Sequence, residues 1–501
     1  MSGRRMVASA RVARMLALLD RSCVSDRLER LLQADSAGLG RPRQLPVRAL
    51  LLALLLLVAE GRPHLVRVAP LLNSLPQRDR QRLGVDRPGG ITRRQVQALY
   101  DRLTGLLGVD GLDRFCDDLL DATMPDEPVG SSSLAVDASD IPTWGRPAGM
   151  WRGKKRPAGD PDARWRGADA DRTWKGALFG YDLTAAVTVK DLDGPEVPLL
   201  ARRIRLRPAA SGTVATGLEA VASAALAQGR LGDVLVDRDY SKSKHGEDFL
   251  LPVRALGGRP VFDLTAYQLG VSGTVRGALV IDGQLHSPGT PKALQQLTPP
   301  GANAAPELVE EYRKKVARRA AYALPKHGSP KASGAQTFTC PARAGKLSCP
   351  LVPAAQPRKG VVPLPVLAAP ASALPGSVCS QSFVNIDADQ LPLDQQHLFG
   401  SWEWAASYAR RSRVEGFFGS LKNQATENLN RGSIRVVGLV KTGVLVALAV
   451  ASANLRHIES FRAKTPQPIR PRAGRPRRLG VRVHLPAGVA VSDAPSNGPP
   501  R

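Results

Sequence analysis

The stretch Tyr408-Ala-Arg-Arg411-Ser-Arg-Val-Glu415-Gly-Phe-Phe-Gly-Ser-Leu-Lys422 decides how the rest of the chain is read. If it forms one helix, at about 100° per residue, then Tyr408, Arg411, Glu415 and Lys422 fall within roughly 60° of one another on a single face. A buried stripe would be apolar. A carboxylate aligned with two cations and a phenol suits a phosphodiester held at a metal ion. The plainer alternative is a solvated amphipathic helix with pairs such as Arg411 to Glu415 four residues apart.

The chain has 501 residues and a formal charge of +26, enough length for roughly two to four domains with cores of their own. Charge of this sign favours polyanions, because every phosphate neutralised releases counterions. Nucleic acid is the expected partner, with an anionic membrane surface as the lesser alternative. Cys23, Cys116, Cys340, Cys349 and Cys379 are few and odd in number, which argues against a secreted disulfide framework and for a reducing cytoplasm. Arg4 and Arg5 precede no uninterrupted apolar run with a cleavage site, so no export signal is read. Residues 49 to 59 are apolar but too few to span a bilayer, and residues 436 to 455 carry Lys441 among several Gly, Ser and Asn. Both are expected as buried helices, with no membrane partner.

Residues 1 to 128 read as an N-terminal helical, DNA-binding domain, with apolar spacings of three and four over 11 to 32, 47 to 59, 93 to 107 and 112 to 122. Thr92 and Gln95 form a capping box. The turn it starts exposes Arg93, Arg94, Gln95 and Gln97, residue types that reach phosphates or base edges and that also occur on ordinary solvated helices.

From about residue 129 short β-rich runs take over. Ser133 to Asp137 is expected as a strand ending in an acid, 180 to 189 and 197 to 206 as a hairpin, 212 to 228 as a helix, and 233 to 236 as another strand ending in Asp237. The expected class is α/β: a mixed sheet with flanking helices over 129 to 262, interrupted by a β-containing insertion over 263 to 379 and resumed over 380 to 463 with the Glu415 helix. Residues 383 to 386 are expected as a returning strand. Residues 464 to 501, rich in Pro, Gly and Arg, are expected as a disordered basic tail.

Between the first two strands, residues 145 to 176 mix Trp151, Trp165 and Trp174 with Arg152, Lys154, Lys155, Arg156, Arg164, Arg166, Arg172 and Lys175. Indoles for stacking and cations for phosphates make this either a nucleic-acid contact loop or a basic surface loop anchored by its indoles. In the insertion, Cys340, Cys349 and Cys379 supply three of the four ligands a structural zinc needs. His327 or His397 would have to be the fourth, and buried thiols are the alternative.

Asp137, Asp237 and Glu415, two closing strands and one on a helix, are the carboxylates a site for two Mg2+ ions requires, with Mn2+ as a substitute. No Walker-type lysine loop, Gly-x-Ser-x-Gly elbow, His-Glu-x-x-His or dinucleotide fingerprint competes with them.

At this point the chain resembles a known family. Tyr408, Arg411, Glu415 and Lys422 match the Tyr-x2-Arg-x3-Glu-x6-Lys signature of a branch of bacterial insertion-sequence transposases that carry a DDE triad on an RNase H-like core. Asp137 is similar to the family's first acid, and Val236-Asp237-Arg-Asp239-Tyr240 to its second-acid motif, with Asp239 where Gly or Ala is usual. Asp239 and Asp140 are therefore reserve candidates for the two Asp positions. The resemblance covers roughly residues 129 to 460 and includes a long insertion before the Glu. It implies metal-dependent DNA cleavage at element ends and strand transfer into target DNA. Tyr408, Arg411 and Lys422 would grip phosphates, and a homodimer would pair two ends of double-stranded DNA in the cytoplasm, on the nucleoid. A catalytically inactive DNA-binding descendant and a purely hydrolytic nuclease are the alternatives.

Overall fold

The computed structural model describes residues 2–36, 43–126, 129–167, 177–243, 245–301, 303–331, 334–352, 365–367 and 374–464. The expected tail beyond 464, and Arg172, Trp174 and Lys175 of the basic loop, lie outside them.

The helical region contains α1 (Ser2–Ser22), α2 (Val24–Ser36), α3 (Val47–Val58), α4 (Val68–Ser74), α5 (Gln77–Arg82) and α6 (Arg93–Asp121). The expected single helix over 11 to 32 is divided at Cys23, whose φ is 53°. α6 merges the two expected helices across a kink at Gly108, which takes a φ of 61° and a ψ of −173° that a side chain would strain. The Thr92–Gln95 capping box forms as read. α3 is apolar except for Arg48, which pairs with Asp20, and is buried along nearly its whole length, which makes it the centre of this helical layer.

Next come β1 (Ser133–Pro142), the short hairpin β2 (Gly149–Trp151) and β3 (Lys154–Arg156), then β4 (Arg164–Arg166), β5 (Leu178–Val189) and β6 (Ala201–Pro208). They are followed by α7 (Thr213–Gln228), β7 (Asp233–Val236), α8 (Leu250–Ala255) and β8 (Arg259–Phe262). Five of these strands lie in the order β6-β5-β1-β7-β8, with β4 also paired to β5. β5 runs antiparallel to β1 and to β6, while β7 runs parallel to β1 and to β8. The sheet is thus mixed, and residues 197 to 206 enter it later than the sequence suggested, at Ala201.

Side chains alternate across the sheet. Ala135, Ala185, Ile204, Leu235 and Val261 face one core, which they share with the helical region. Leu134, Val136, Val234 and Val236 face a second core, closed by Ala220, Val221 and Ala224 of α7 and by Leu250 and Val253 of α8. Helices therefore flank both faces.

The insertion is built from β9 (Val271–Val275), β10 (Ala278–Ile281), β11 (Gln284–His286), α9 (Lys292–Gln295), α10 (Pro306–Ala320), β12 (Lys326–His327), β13 (Gln336–Thr339) and β14 (Phe383–Ile386). It has its own core, around Leu285, Tyr322, Phe338 and Val384. β14, expected to return to the main sheet, instead pairs antiparallel with β13. Its alternating Val384 and Ile386 fit that smaller core, so the insertion extends past residue 379.

The chain then re-enters the main body as α11 (Trp402–Ala409), α12 (Ser412–Lys422) and α13 (Leu439–Lys464). By length and composition α13 alone among the described helices is long and apolar enough to cross a membrane, yet its residues from Thr442 to Asn454 are buried. Asn454 explains part of this position. Its amide accepts from the Ala201 backbone N–H (2.9 Å) and donates to the Ala201 carbonyl (3.0 Å) and to Thr123 Oγ1 (2.9 Å). A buried amide so satisfied stabilises instead of costing, and it ties α13 to the start of β6 and the end of α6.

Candidate active site

β1 continues to Pro142, so Asp137 lies within a strand and not at its end. Asp237 follows β7 directly. Strand register sets their relation. Ala135 pairs with Leu235, and each Asp stands two residues further along its strand. Because side chains repeat every second residue, Asp137 and Asp237 point to the face of Ala135 and Leu235, side by side at the carboxyl edge of the parallel strands.

α12 lies on that same face, with Val414, Phe417, Phe418 and Leu421 buried in the shared core. The expected continuous helix is interrupted at Arg410–Arg411. There Arg410 donates from Nε to the Ser407 carbonyl (2.9 Å) and from Nη2 to buried Asp233 (2.6 Å), which holds the turn. The Arg411 N–H turns to the Tyr408 carbonyl three residues back (2.9 Å). The stripe survives the tightened turn, and each of its members meets the site in a different way.

Arg411 joins the acids. Its Nη1 donates to Asp137 Oδ2 (2.9 Å) and its Nη2 to Glu415 Oε1 (2.8 Å). Burial works against its charge, but Tyr408, Asp137 and Glu415 outweigh it and raise its pKa. Lys422 donates to Ser139 Oγ (2.7 Å), two residues beyond Asp137 on the same face. Burial, then the nearby Arg166, lowers its pKa, so an anion approaching that ammonium would relieve it. Tyr408 stacks on Trp404 with ring centroids 5.1 Å apart and an interplanar angle of 10°. Burial, with Asp263 and Asp237 against the opposing Arg411, pushes its phenol up to about 12.

Asp237 has its carboxyl pushed up by burial, then by Asp239 and Asp137. Arg411 opposes this rise and is outweighed. Its Oδ1 accepts from the Asp239 N–H (2.9 Å). Of the reserve candidates, Asp239 sits beside it on the following turn and pairs with Lys242 (2.5 Å). Asp140 alternates to the other face of β1, where Arg166 bridges it to Asp182.

The sequence does not single out Asp263, which stands two residues beyond Val261, the register partner of Leu235. A signal was present: Pro-Val-Phe-Asp263 repeats the apolar run ending in Asp that marks Asp137 and Asp237.

Arg93 and Arg94 are exposed at the start of α6, at the opposite end of that helix from the Asp113, Asp117 and Asp121 that meet β6. They are not brought to the acids. Gln95 is spent on its cap and on Gln44, and Gln97 on Asp101 (2.9 Å). In the basic loop, Lys154 and Lys155 are exposed on β3 and Trp165 packs on Phe179 at 5.4 Å; just before it, the exposed Trp144 lies under Arg435 at 5.1 Å.

Cys340, Cys349 and Cys379 line one small cavity with Ser287, Gly289, Val352 and Leu367, and among the described residues no histidine lines it. His327 stacks on Phe383 instead. Among the described residues no three His, Cys, Asp or Glu side chains converge as a ready-made ion cage. In donor chemistry the residues around Asp137 still fit magnesium, since every donor is a carboxylate oxygen. Those carboxylates line a rim, with Arg411 between Asp137 and Glu415.

Comparison with known protein families and with curated proteins finds no match to this chain.

Proposed function

We propose that the chain is a DDE transposase that cleaves DNA at insertion-sequence ends and joins the freed end to target DNA, on an RNase H-like core. One observation carries this reading. Two strand-borne acids stand in register on one sheet face, and the helix bearing Glu415 crosses that face with Arg411 linking Glu415 to Asp137. The strand order β6-β5-β1-β7-β8, with β5, the second strand in sequence, alone reversed relative to β1, supports the RNase H-like part, once β2 to β4 are treated as elements of the basic loop.

Asp137, Asp237 and Glu415 would hold two Mg2+ ions, or Mn2+, which when bound activate the attacking oxygen and stabilise the leaving one. The chain's own cations would place the DNA. Lys422, fixed by Ser139, and Arg411 would take phosphates beside the scissile bond, with Tyr408 held against Trp404 as a third contact. Water would attack the phosphodiester, leaving a 5′-phosphate while the strand's 3′-oxygen departs with a proton as a 3′-hydroxyl; that hydroxyl would then attack a target phosphodiester and expel the target strand's own 3′-oxygen, which takes up the proton. No covalent protein intermediate is required. The charge of +26 supplies the attraction to double-stranded DNA, and a homodimer acting on the nucleoid would pair two ends.

The test is a magnesium-dependent cleavage assay on DNA carrying the flanking ends of the native locus, wild type beside Asp137→Ala. End-specific nicks with a free 3′-hydroxyl, lost in the variant, and strand-transfer products are expected. Salt-sensitive binding without cleavage by the wild type would replace the transposase with a catalytically inactive DNA-binding protein, and cleavage without strand transfer with a nuclease.

A further inference from the structure

The parallel part of the sheet does not stop at the two strands that carry Asp137 and Asp237. Register links three strands: Ala135 pairs with Leu235, and Leu235 with Val261. All three of those residues face the same core. Two residues beyond each stands an aspartate, so Asp137, Asp237 and Asp263 form a row on one face at one level of the sheet edge.

The three are also anchored alike. Oδ1 of Asp137 accepts from the Ala138 N–H (2.8 Å), Oδ1 of Asp237 from the Asp239 N–H (2.9 Å) and Oδ1 of Asp263 from the Leu264 N–H (2.9 Å). In each case the backbone just past the anchored carboxylate fixes the side chain through one oxygen and leaves Oδ2 over. In Asp137 that oxygen goes to Arg411. Asp263 also lies within electrostatic reach of Arg238 and, more weakly, of Arg411, and it acts on the Tyr408 phenol as Asp237 does. It therefore belongs to the same site by placement and by neighbours.

We propose that Asp263 is a fourth carboxylate ligand of this site, on the Asp237 side and away from Glu415. Dimensions agree. Strands spaced about 4.8 Å apart put the outer two aspartates of the row roughly 9.6 Å from each other. Two magnesium ions about 4 Å apart, each with ligands at about 2.1 Å, need donors spread over about 8 Å. A row of three spans that width with Asp237 in the middle, whereas Asp137 and Asp237 alone cover half of it. The inference rests on the metal-dependent reading above and adds to it where the second ion's protein ligand lies.

The test is Mn2+ binding by the full chain, followed by the electron paramagnetic resonance signal of free Mn2+, for wild type, Asp137→Asn, Asp237→Asn, Asp263→Asn and Asp263→Glu. Asn keeps the Oδ1 that accepts from Leu264, so circular dichroism and Tm without metal should match wild type. Asp263→Asn is expected to weaken Mn2+ binding about tenfold or more, a size seen even when outer-shell partners of a metal are lost, with Asp263→Glu recovering part of it. Unchanged binding in Asp263→Asn beside weakened binding in Asp137→Asn and Asp237→Asn would overturn the assignment of Asp263 alone. A wild-type chain that takes up no Mn2+, or equal binding by all five proteins, would overturn the metal-dependent reading and this assignment with it. Should Asp263→Asn lose its fold, Asp263→Glu decides: full wild-type binding together with a wild-type Tm for every other variant would count against a ligand whose length matters.

Discussion

Two arrays of acids in this molecule use the same residue types to opposite ends. Along β6, Arg203, Arg205 and Arg207 form two-fork pairs with Asp121, Asp117 and Asp113 of α6, at distances of 2.6 to 3.0 Å. The spacing works because two residues of strand advance about 6.6 Å and four residues of helix about 6.0 Å. Each of these three arginines has an acid in front of it, and the ladder locks the helical region to the sheet. At the other array, Asp137, Asp237 and Glu415 have one arginine among them, and burial and like charge push the Asp237 carboxyl up. Paired charges hold a fold together, whereas acids short of cations are a place for a ligand.

The largest effect expected from breaking this contrast is on activity. Glu415→Gln should lower cleavage of end DNA by about a thousandfold or more, the equivalent of losing several kcal/mol of metal-supplied transition-state stabilisation, while Tm and DNA binding hold. A variant that cleaves normally would remove Glu415 from the site. Breaking the ladder should act on stability instead. Arg205→Ala leaves Asp117 with Ser223 (2.8 Å) and the more distant Arg203 Nε (3.5 Å) as its partners and should cost about 2–4 kcal/mol in denaturant unfolding. Pairing Arg205→Met with Asp117→Leu should recover most of that, because both charges then leave together. If the single and double variants unfold alike, the ladder is not what joins the two layers.

Acid separates both arrays from the insertion. Burial lowers the pKa of His286 from 6.5 to about 4. A histidine held neutral in the fold gives its full stability above its unfolded pKa, loses it as pH falls through the window between 6.5 and about 4, and levels off below that. Local unfolding of the insertion, followed by hydrogen exchange or proteolysis, should therefore ease over that window by on the order of a few kcal/mol. His286→Gln should flatten the response. The smallest change is expected of Lys422→Ala, which should weaken binding of cleaved-end DNA about uniformly across sequences and reduce the salt slope by about one. An unaltered slope would take the phosphate role away from Lys422.

Much of the sheet was legible because its strands are short apolar runs bounded by turn residues, as in Asp233 to Val236, and because Thr92 and Gln95 signal a helix start that forms as read. Reading failed where a local pattern had two homes. Phe383 to Ile386 has the alternation of any half-buried strand, and its partner, β13, is separated from it by 43 residues. The helix stripe was legible in outline, but the turn that breaks it at Arg410–Arg411 is held by buried Asp233, which lies 177 residues earlier.

By itself the sequence determined the charge of +26, the helical start, the α/β class and the stripe from Tyr408 to Lys422, because composition and periodicity are properties of neighbouring residues. Only the tertiary structure decided that Asp263 shares a row with Asp137 and Asp237, that Asp140 faces away from them, and that Arg411 stands between Asp137 and Glu415. The row depends on strand register, and a shift of one residue in any of the three strands would turn its aspartate to the other face.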